Sequence, residues 1–189
     1  PETRKYVWKR LKENYIDNGV DCLWFDEAEP EIHPEHFDNL IFSIGNGSEV
    51  ALLFPYYYAQ LVHDGMREMG RDDVLTLSRC AYLGAQKFGN LVWSGDIPST
   101  FESLRMQIKS GLNMAMCGIP WWTTDIGGFY GGDIESDYFR ELIVRWFQFG
   151  LFCPVMRLHG SRNGHDRTRD IIEPTGGDNE LWSFGERNF

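Results

Sequence analysis

Asp21-Cys22-Leu23-Trp24-Phe25-Asp26 is the stretch on which the fold turns. Four apolar residues in a row, opened and closed by an acid, read as a buried strand. Before it, residues 3–18 carry Val7, Leu11 and Tyr15 at four-residue spacing, which predicts a helix face stopped by Asn18-Gly19. After it comes a polar loop with Pro30, Pro34, Gly45 and Gly47, then a second helix over about 49–69 that ends at Gly70. The same alternation continues. Val74-Leu75-Thr76-Leu77-Ser78 is a second strand and runs into Arg79. Leu91-Val92-Trp93 is a third, followed by Ser94-Gly95-Asp96. Residues 99–116 are expected to be a helix with Leu104, Ile108, Leu112 and Ala115 on its buried face. Ile119 to Thr124 is a fourth strand leading into Asp125, with Trp121 expected in the core because strand residues alternate faces. A helix over 137–150 and a strand over Pro154-Val155-Met156-Arg157-Leu158, ending at His159-Gly160, close the pattern.

Strands this apolar are covered on both faces, which implies a parallel sheet in an α/β fold. An open doubly wound sheet and a (β/α) barrel both satisfy that pattern. The strand ends favour the barrel. Asp26, Arg79, Asp96, Asp125 and His159 each follow a strand, and in a barrel all strand C-termini converge on the face that carries active sites. No strand runs into a GxGxxG or a phosphate-binding loop, so a nucleotide-binding domain lacks its motif. A complete barrel needs about 250 residues. The expectation is therefore an incomplete (β/α)8 TIM-type barrel holding about the last five βα units. Residues 1–189 would be one partial catalytic domain. The opening Pro1-Glu2-Thr3-Arg4 is no secretory signal and reads as the start of an excised segment.

Composition narrows the partners. A formal charge of −10 repels phosphate backbones, which excludes nucleic acid as an expected partner. No apolar run is long enough to span a membrane. Aromatic residues make up 15%, enough either to fill a core or to stack on sugar rings. Cys22, Cys80, Cys117 and Cys153 are far apart and lie in or beside apolar runs. They read as reduced, buried thiols, which points to a cytoplasmic location. His33 and His36 form a lone HxxH without further ligands, so neither a metal nor a cofactor is expected.

Two carboxylates at convergent strand ends suit glycosidic bond cleavage, in which one attacks the anomeric carbon and the other protonates the leaving oxygen. A lone Asp after a strand is as readily a helix cap, and five consecutive polar strand ends weaken that reading. The local sequences go further. Trp24-Phe25-Asp26-Glu27-Ala28-Glu29-Pro30 resembles the nucleophile segment of glycoside hydrolase family 31, the α-glucosidase and α-xylosidase family. Trp93-Ser94-Gly95-Asp96 resembles its acid/base segment. Trp122-Thr123-Thr124-Asp125-Ile126-Gly127-Gly128-Phe129 is similar to its Asp-Ile-Gly-Gly-Phe segment, and Arg157-Leu158-His159-Gly160 to its Arg-x-His-Gly segment. The four occur in the family's order and span nearly the whole chain.

The resemblance implies a retaining α-glycoside hydrolase acting on terminal α-xylosyl or α-glucosyl residues. Asp26 would be the nucleophile and Asp96 the general acid/base. Arg79, Asp125 and His159 would bind the sugar, with Trp93, Phe129 and Trp24 as walls of its pocket. Glu29 would brace the nucleophile loop. Glu27-Ala28-Glu29-Pro30-Glu31 is closer to the α-xylosidase-like members than to those with Met-Asn-Glu-Pro after the Asp. The substrate would be an oligosaccharide or α-glycoside, with transglycosylation open beside hydrolysis. The first barrel strands would come from the parent chain or a second copy. The alternative is a carbohydrate-binding or scaffold fragment without catalysis.

Overall fold

The computed structural model describes residues 2–30, 36–161 and 179–186. They form two compact units, residues 1–92 and 93–189. His33 of the HxxH, Pro34 and Glu31 lie outside the described residues.

The first unit opens with α1 (Glu2–Asn14) and a 3-10 turn over Ile16–Asn18. Then come β1 (Leu23–Phe25), a small antiparallel hairpin of β2 (Ile41–Phe42) and β3 (Gly45–Asn46), and α2 (Gly47–Val50). α3 (Phe54–Glu68), β4 (Thr76–Ser78) and β5 (Asn90–Trp93), whose last residue Trp93 begins the second unit, complete the order. β1 pairs with β4 in parallel register, Leu23 opposite Thr76 and Phe25 opposite Ser78. β4 pairs with β5 in the same sense, Thr76 opposite Asn90 and Ser78 opposite Val92. Among the described residues β1 is an edge strand. The polar loop after Asp26 thus contains a hairpin and the start of a helix, which its glycines and prolines did not advertise.

α3 buries Pro55, Ala59, Val62 and Met66 at three- and four-residue spacing. Leu61, Val62 and Met66 meet Leu23 and Phe25 of β1 and Ile16 in one apolar cluster, and Phe25 stacks against Tyr58 with centroids 4.5 Å apart. Each such side chain taken out of water contributes about 1.5–3 kcal/mol. Coverage of the strands is uneven. β5 is buried along its whole length, whereas Trp24 on β1 points away from the cluster and is 48% exposed. The expectation that β1 is covered on both faces is corrected here: Leu23 and Phe25 are in and Trp24 is out, the alternation of a one-sided strand.

In the second unit α4 (Phe101–Met116) is followed by β6 (Trp122–Thr123), β7 (Asp125–Ile126), α5 (Asp137–Gly150) and β8 (Arg157–Leu158). β7 and β8 are parallel, with Asp125 opposite Arg157 and Ile126 opposite Leu158. Each long helix has its cap. The Thr100 hydroxyl accepts from the Ser103 N–H at 3.0 Å, and the Ser136 hydroxyl from the Phe139 N–H at 3.2 Å. Phe139, Leu142, Ile143 and Trp146 of α5 line one face and pack with Ile126, Ile97, Leu104 and Phe184.

Three further expectations are corrected. On α4 the buried residues are Ser103, Leu104 and Gln107, while Ile108, Leu112 and Ala115 are exposed. The helix turns its small and polar stripe inward so that the Trp122 ring can lie over Gly111, where a Cβ would come within 2.7 Å of it. Trp121 is 49% exposed, because its neighbour Trp122 takes the buried side of the strand. The four thiols are free, but Cys22 and Cys117 are exposed and Cys80 and Cys153 only half-buried. Cys22 precedes the paired part of β1, and Cys117 caps α4.

Close approach of α1 to α3 depends on Gly65. A Cβ there would fall 2.1 Å from the Trp8 ring. Alanine gains about 1 kcal/mol in helix propensity but collides with a stiff indole, and overpacking costs about 1–3 kcal/mol. Gly65→Ala is expected to lower the unfolding midpoint in a thermal melt, and Gly65→Ala with Trp8→Leu to recover part of the loss.

Candidate active site

Parallel register puts the first pair of candidates side by side. Because Phe25 lies opposite Ser78, the residues that follow, Asp26 and Arg79, leave their strands as neighbours. The Arg79 N–H donates to the Phe25 carbonyl at 3.2 Å, which extends the ladder by one bond. The Arg79 guanidinium then reaches two carboxylates: Nη1 lies 3.1 Å from Asp26 Oδ1 and Nε donates to Glu29 Oε1 at 2.7 Å. Glu29 therefore braces Arg79, and Arg79 holds Asp26. The Glu27 N–H also donates to Asp26 Oδ1, at 2.8 Å. Glu27 has φ of 49°, the one non-glycine residue at positive φ among the described residues. A left-handed backbone on an L-residue costs about 1–2 kcal/mol, and such strain is held where a turn must aim a neighbouring group. Burial pushes the Cys80 thiol up to about 12, with the Glu29 charge adding to the effect, so it is a neutral thiol beside the cluster. Trp24, on the strand that Asp26 follows, is half-exposed.

The second unit gathers its candidates by stitching three strand-end loops together. The Phe129 and Tyr130 N–H groups both donate to the Ile97 carbonyl, at 2.7 and 3.1 Å. Ser99 N–H donates to the Tyr130 carbonyl, and Ser161 N–H to the Phe129 carbonyl. Parallel bridges Pro98–Tyr130 and Tyr130–Ser161 result. This ladder brings Asp96, Phe129 and His159 onto adjoining loops. The rings of Phe129 and His159 are 5.5 Å apart, and the Tyr130 hydroxyl donates to Asp96 Oδ2 at 3.2 Å. Gly128 makes the tight passage possible. It has φ of 82°, and a Cβ there would meet the Ser99 backbone at 2.6 Å.

Asp125 stands beneath these loops, fully buried, with Oδ1 accepting from Arg157 Nη2 at 2.6 Å. The Arg157 guanidinium also sits 5.4 Å from the centroid of the buried Trp93 ring. Around them Thr123 donates to the Val155 carbonyl, and Trp146 Nε1 to the Thr124 hydroxyl at 2.8 Å. Asp125, expected as a sugar ligand, is thus engaged with Arg157 here. Arg157, Tyr130 and the strained Glu27 were not among the sequence candidates. Arg157 lies within the Arg-x-His-Gly segment, whose likeness points to His159 as the sugar ligand. The roles of Tyr130 and Glu27 depend on loop geometry that no spacing reports.

Each unit thus carries a carboxylate just after a strand, Asp26 clamped by Arg79 in the first and Asp96 beside Tyr130 in the second. The glycosyl hydrolases family 31 TIM-barrel domain matches residues 1–184, and the chain belongs to that family. It is 50% identical to a family 31 α-xylosidase from a soil metagenome whose crystal structure contains xylose; the match has a TM-score of 0.93 and covers 100% of this chain and 29% of that one. It is 49% identical, over 86% of its length, to a family 31 glucosidase of Pseudescherichia vulneris, of which it covers 31%. It is 34% identical, over its whole length, to α-xylosidase A of Aspergillus niger, of which it covers 29%. The chain therefore spans about a third or less of the length of these glycosidases.

Breaking the buried Asp125–Arg157 pair from one side strands a charge, which costs about 3–5 kcal/mol. Arg157→Met is expected to destabilise by that amount in chemical denaturation. Asp125→Asn combined with Arg157→Met should recover part of it, since the orphaned charge is then gone. Additive losses would show that the two do not act as a pair.

Proposed function

We propose that the protein carrying this chain is a retaining α-glycoside hydrolase for terminal α-xylosyl or α-glucosyl residues. The observation that carries the reading is the Asp26–Arg79–Glu29 cluster at adjacent strand ends. Arg79 Nη1 at 3.1 Å and the Glu27 N–H at 2.8 Å both meet Asp26 Oδ1, so the carboxyl group is held in one orientation at the strand end, as a nucleophile has to be. Asp26 attacks the anomeric carbon as Asp96 passes its proton to the leaving oxygen, so one C–O bond forms and one breaks. Asp96, now a carboxylate, takes a proton from water, which displaces Asp26 and restores both groups. The net configuration is retained. An acceptor sugar in place of water gives transglycosylation.

The remaining candidates take supporting roles in this reading. Arg79 and His159 hold sugar hydroxyls, Trp24, Trp93 and Phe129 wall the pocket, and Asp125 either contacts the sugar or fixes Arg157 for that contact. The α-xylosyl preference is supported by the Glu27-Ala28-Glu29-Pro30 segment and by α-xylosidases among the relatives. The chain supplies about the last five βα units of the barrel, and the exposed edge of β1 supports a need for further strands from the parent chain or a second copy. A carbohydrate-binding scaffold without turnover is the alternative, and the retention of both Asp26 and Asp96 speaks against it.

The test uses the full-length protein with aryl α-xylosides, α-glucosides and α-galactosides. Asp26→Ala is expected to abolish turnover of all substrates. Asp96→Ala should spare activated aryl glycosides and regain rate with azide. The chain of residues 1–189 alone should be inactive. Full activity of Asp26→Ala, or equal loss on good and poor leaving groups in Asp96→Ala, would overturn the assignment. No turnover of any glycoside by the intact protein would favour the scaffold.

A further inference from the structure

Tyr130 stands out because its side chain touches the candidate acid/base while its backbone is pinned on both sides. Its N–H donates to the Ile97 carbonyl, its carbonyl accepts from Ser99, and it bridges Pro98 and Ser161. Its ring meets Phe129 edge-on, centroids 4.9 Å apart and planes at 84°. The fixed backbone and the Phe129 contact set where the ring starts from, and its hydroxyl donates to Asp96 Oδ2 at 3.2 Å.

We propose that Tyr130 is a positioning residue for the proton on Asp96: by donating to Oδ2 it makes Oδ1 the oxygen that carries the proton to the leaving group. This rests on the role of Asp96 given above. A neutral carboxyl has one O–H and one carbonyl oxygen, and the carbonyl oxygen is the better acceptor. A donor fixed at Oδ2 selects the form with the proton on Oδ1 and holds the carboxyl plane. Without it, either oxygen carries the proton and the carboxyl turns freely, so the productive orientation becomes one of several. The step itself is unchanged: the Oδ1 proton moves to the glycosidic oxygen as the C–O bond breaks, and Tyr130 keeps its own proton throughout.

The experiment compares kcat/KM of the full-length protein for an α-xylosyl fluoride, whose leaving group needs little protonation, and an alkyl α-xyloside, which needs it fully. Glucosyl pairs are run in parallel. Tyr130→Phe keeps the ring and backbone and removes the donor. Loss of one oriented hydrogen bond is worth about tenfold. The alkyl xyloside should lose about that factor while the fluoride is unchanged. Tyr130→Leu should give the same split if the hydroxyl is the active part. Equal losses on both substrates, or an effect confined to KM, would overturn the inference and assign the ring a packing or aglycone role. If Asp96→Ala discriminates between the two substrates and Tyr130→Phe does not, this inference fails alone. If Asp96→Ala does not discriminate, the role of Asp96 fails and this inference with it.

Discussion

The candidate chemistry in the first unit depends on the register of two parallel strands. Pairing Phe25 with Ser78 makes Asp26 and Arg79 neighbours, and everything around the candidate nucleophile follows from that neighbourhood. A slip of one residue would send every side chain of β1 to the other face. Leu23 and Phe25 would leave the cluster with Leu61, Val62 and Met66. The apolar cluster thus enforces the register, and the register sets the charge pair. Arg79 is held in turn by Glu29, so its charge is directed instead of being free to sweep. The strained backbone at Glu27 adds a second donor to Asp26. Packing energy from the core offsets the strain at the strand end.

The second unit reaches a comparable end by other means. Its strands β6, β7 and β8 are two residues each, too short to position much by ladder alone. Position comes from the loop bridges through Tyr130 and from a buried ion pair. Arg157 meets the fully buried Asp125 with a short charge-assisted bond, which offsets the cost of burying the carboxylate. That bond joins β7 to β8 and carries the guanidinium onto Trp93. α5 supplies the apolar floor through Phe139, Leu142 and Trp146.

The order of helices and strands was legible because hydrophobic periodicity and glycine stops report local structure. The helix expected over about 137–150 spans Asp137–Gly150, and Ser136 caps it. The α/β class and the family were legible too, from segments around Asp26, Asp96, Asp125 and His159. Strand extent was not, since a strand exists only where a partner pairs with it, and Asp21 and Cys22 have the composition of a strand start without the pairing. The buried face of α4 was misjudged because apolar spacing cannot say which side a neighbour occupies; the side was settled by Trp122 lying against Gly111. Arg157 and Tyr130 escaped because their partners, Asp125 and Asp96, are 32 and 34 residues away in sequence.

The central claim is that Asp26 is the group that bonds to the sugar. The direct measurement incubates the full-length protein with a 5-fluoro-α-xylosyl fluoride, digests it, and locates the added mass by peptide sequencing. Fluorine beside the ring oxygen slows both steps, and a good leaving group lets the first outrun the second, so the intermediate accumulates. The account expects stoichiometric inactivation, with the xylosyl mass on the peptide carrying Asp26 and none in Asp26→Ala. A label on another carboxylate, or inactivation without any covalent label, would contradict it.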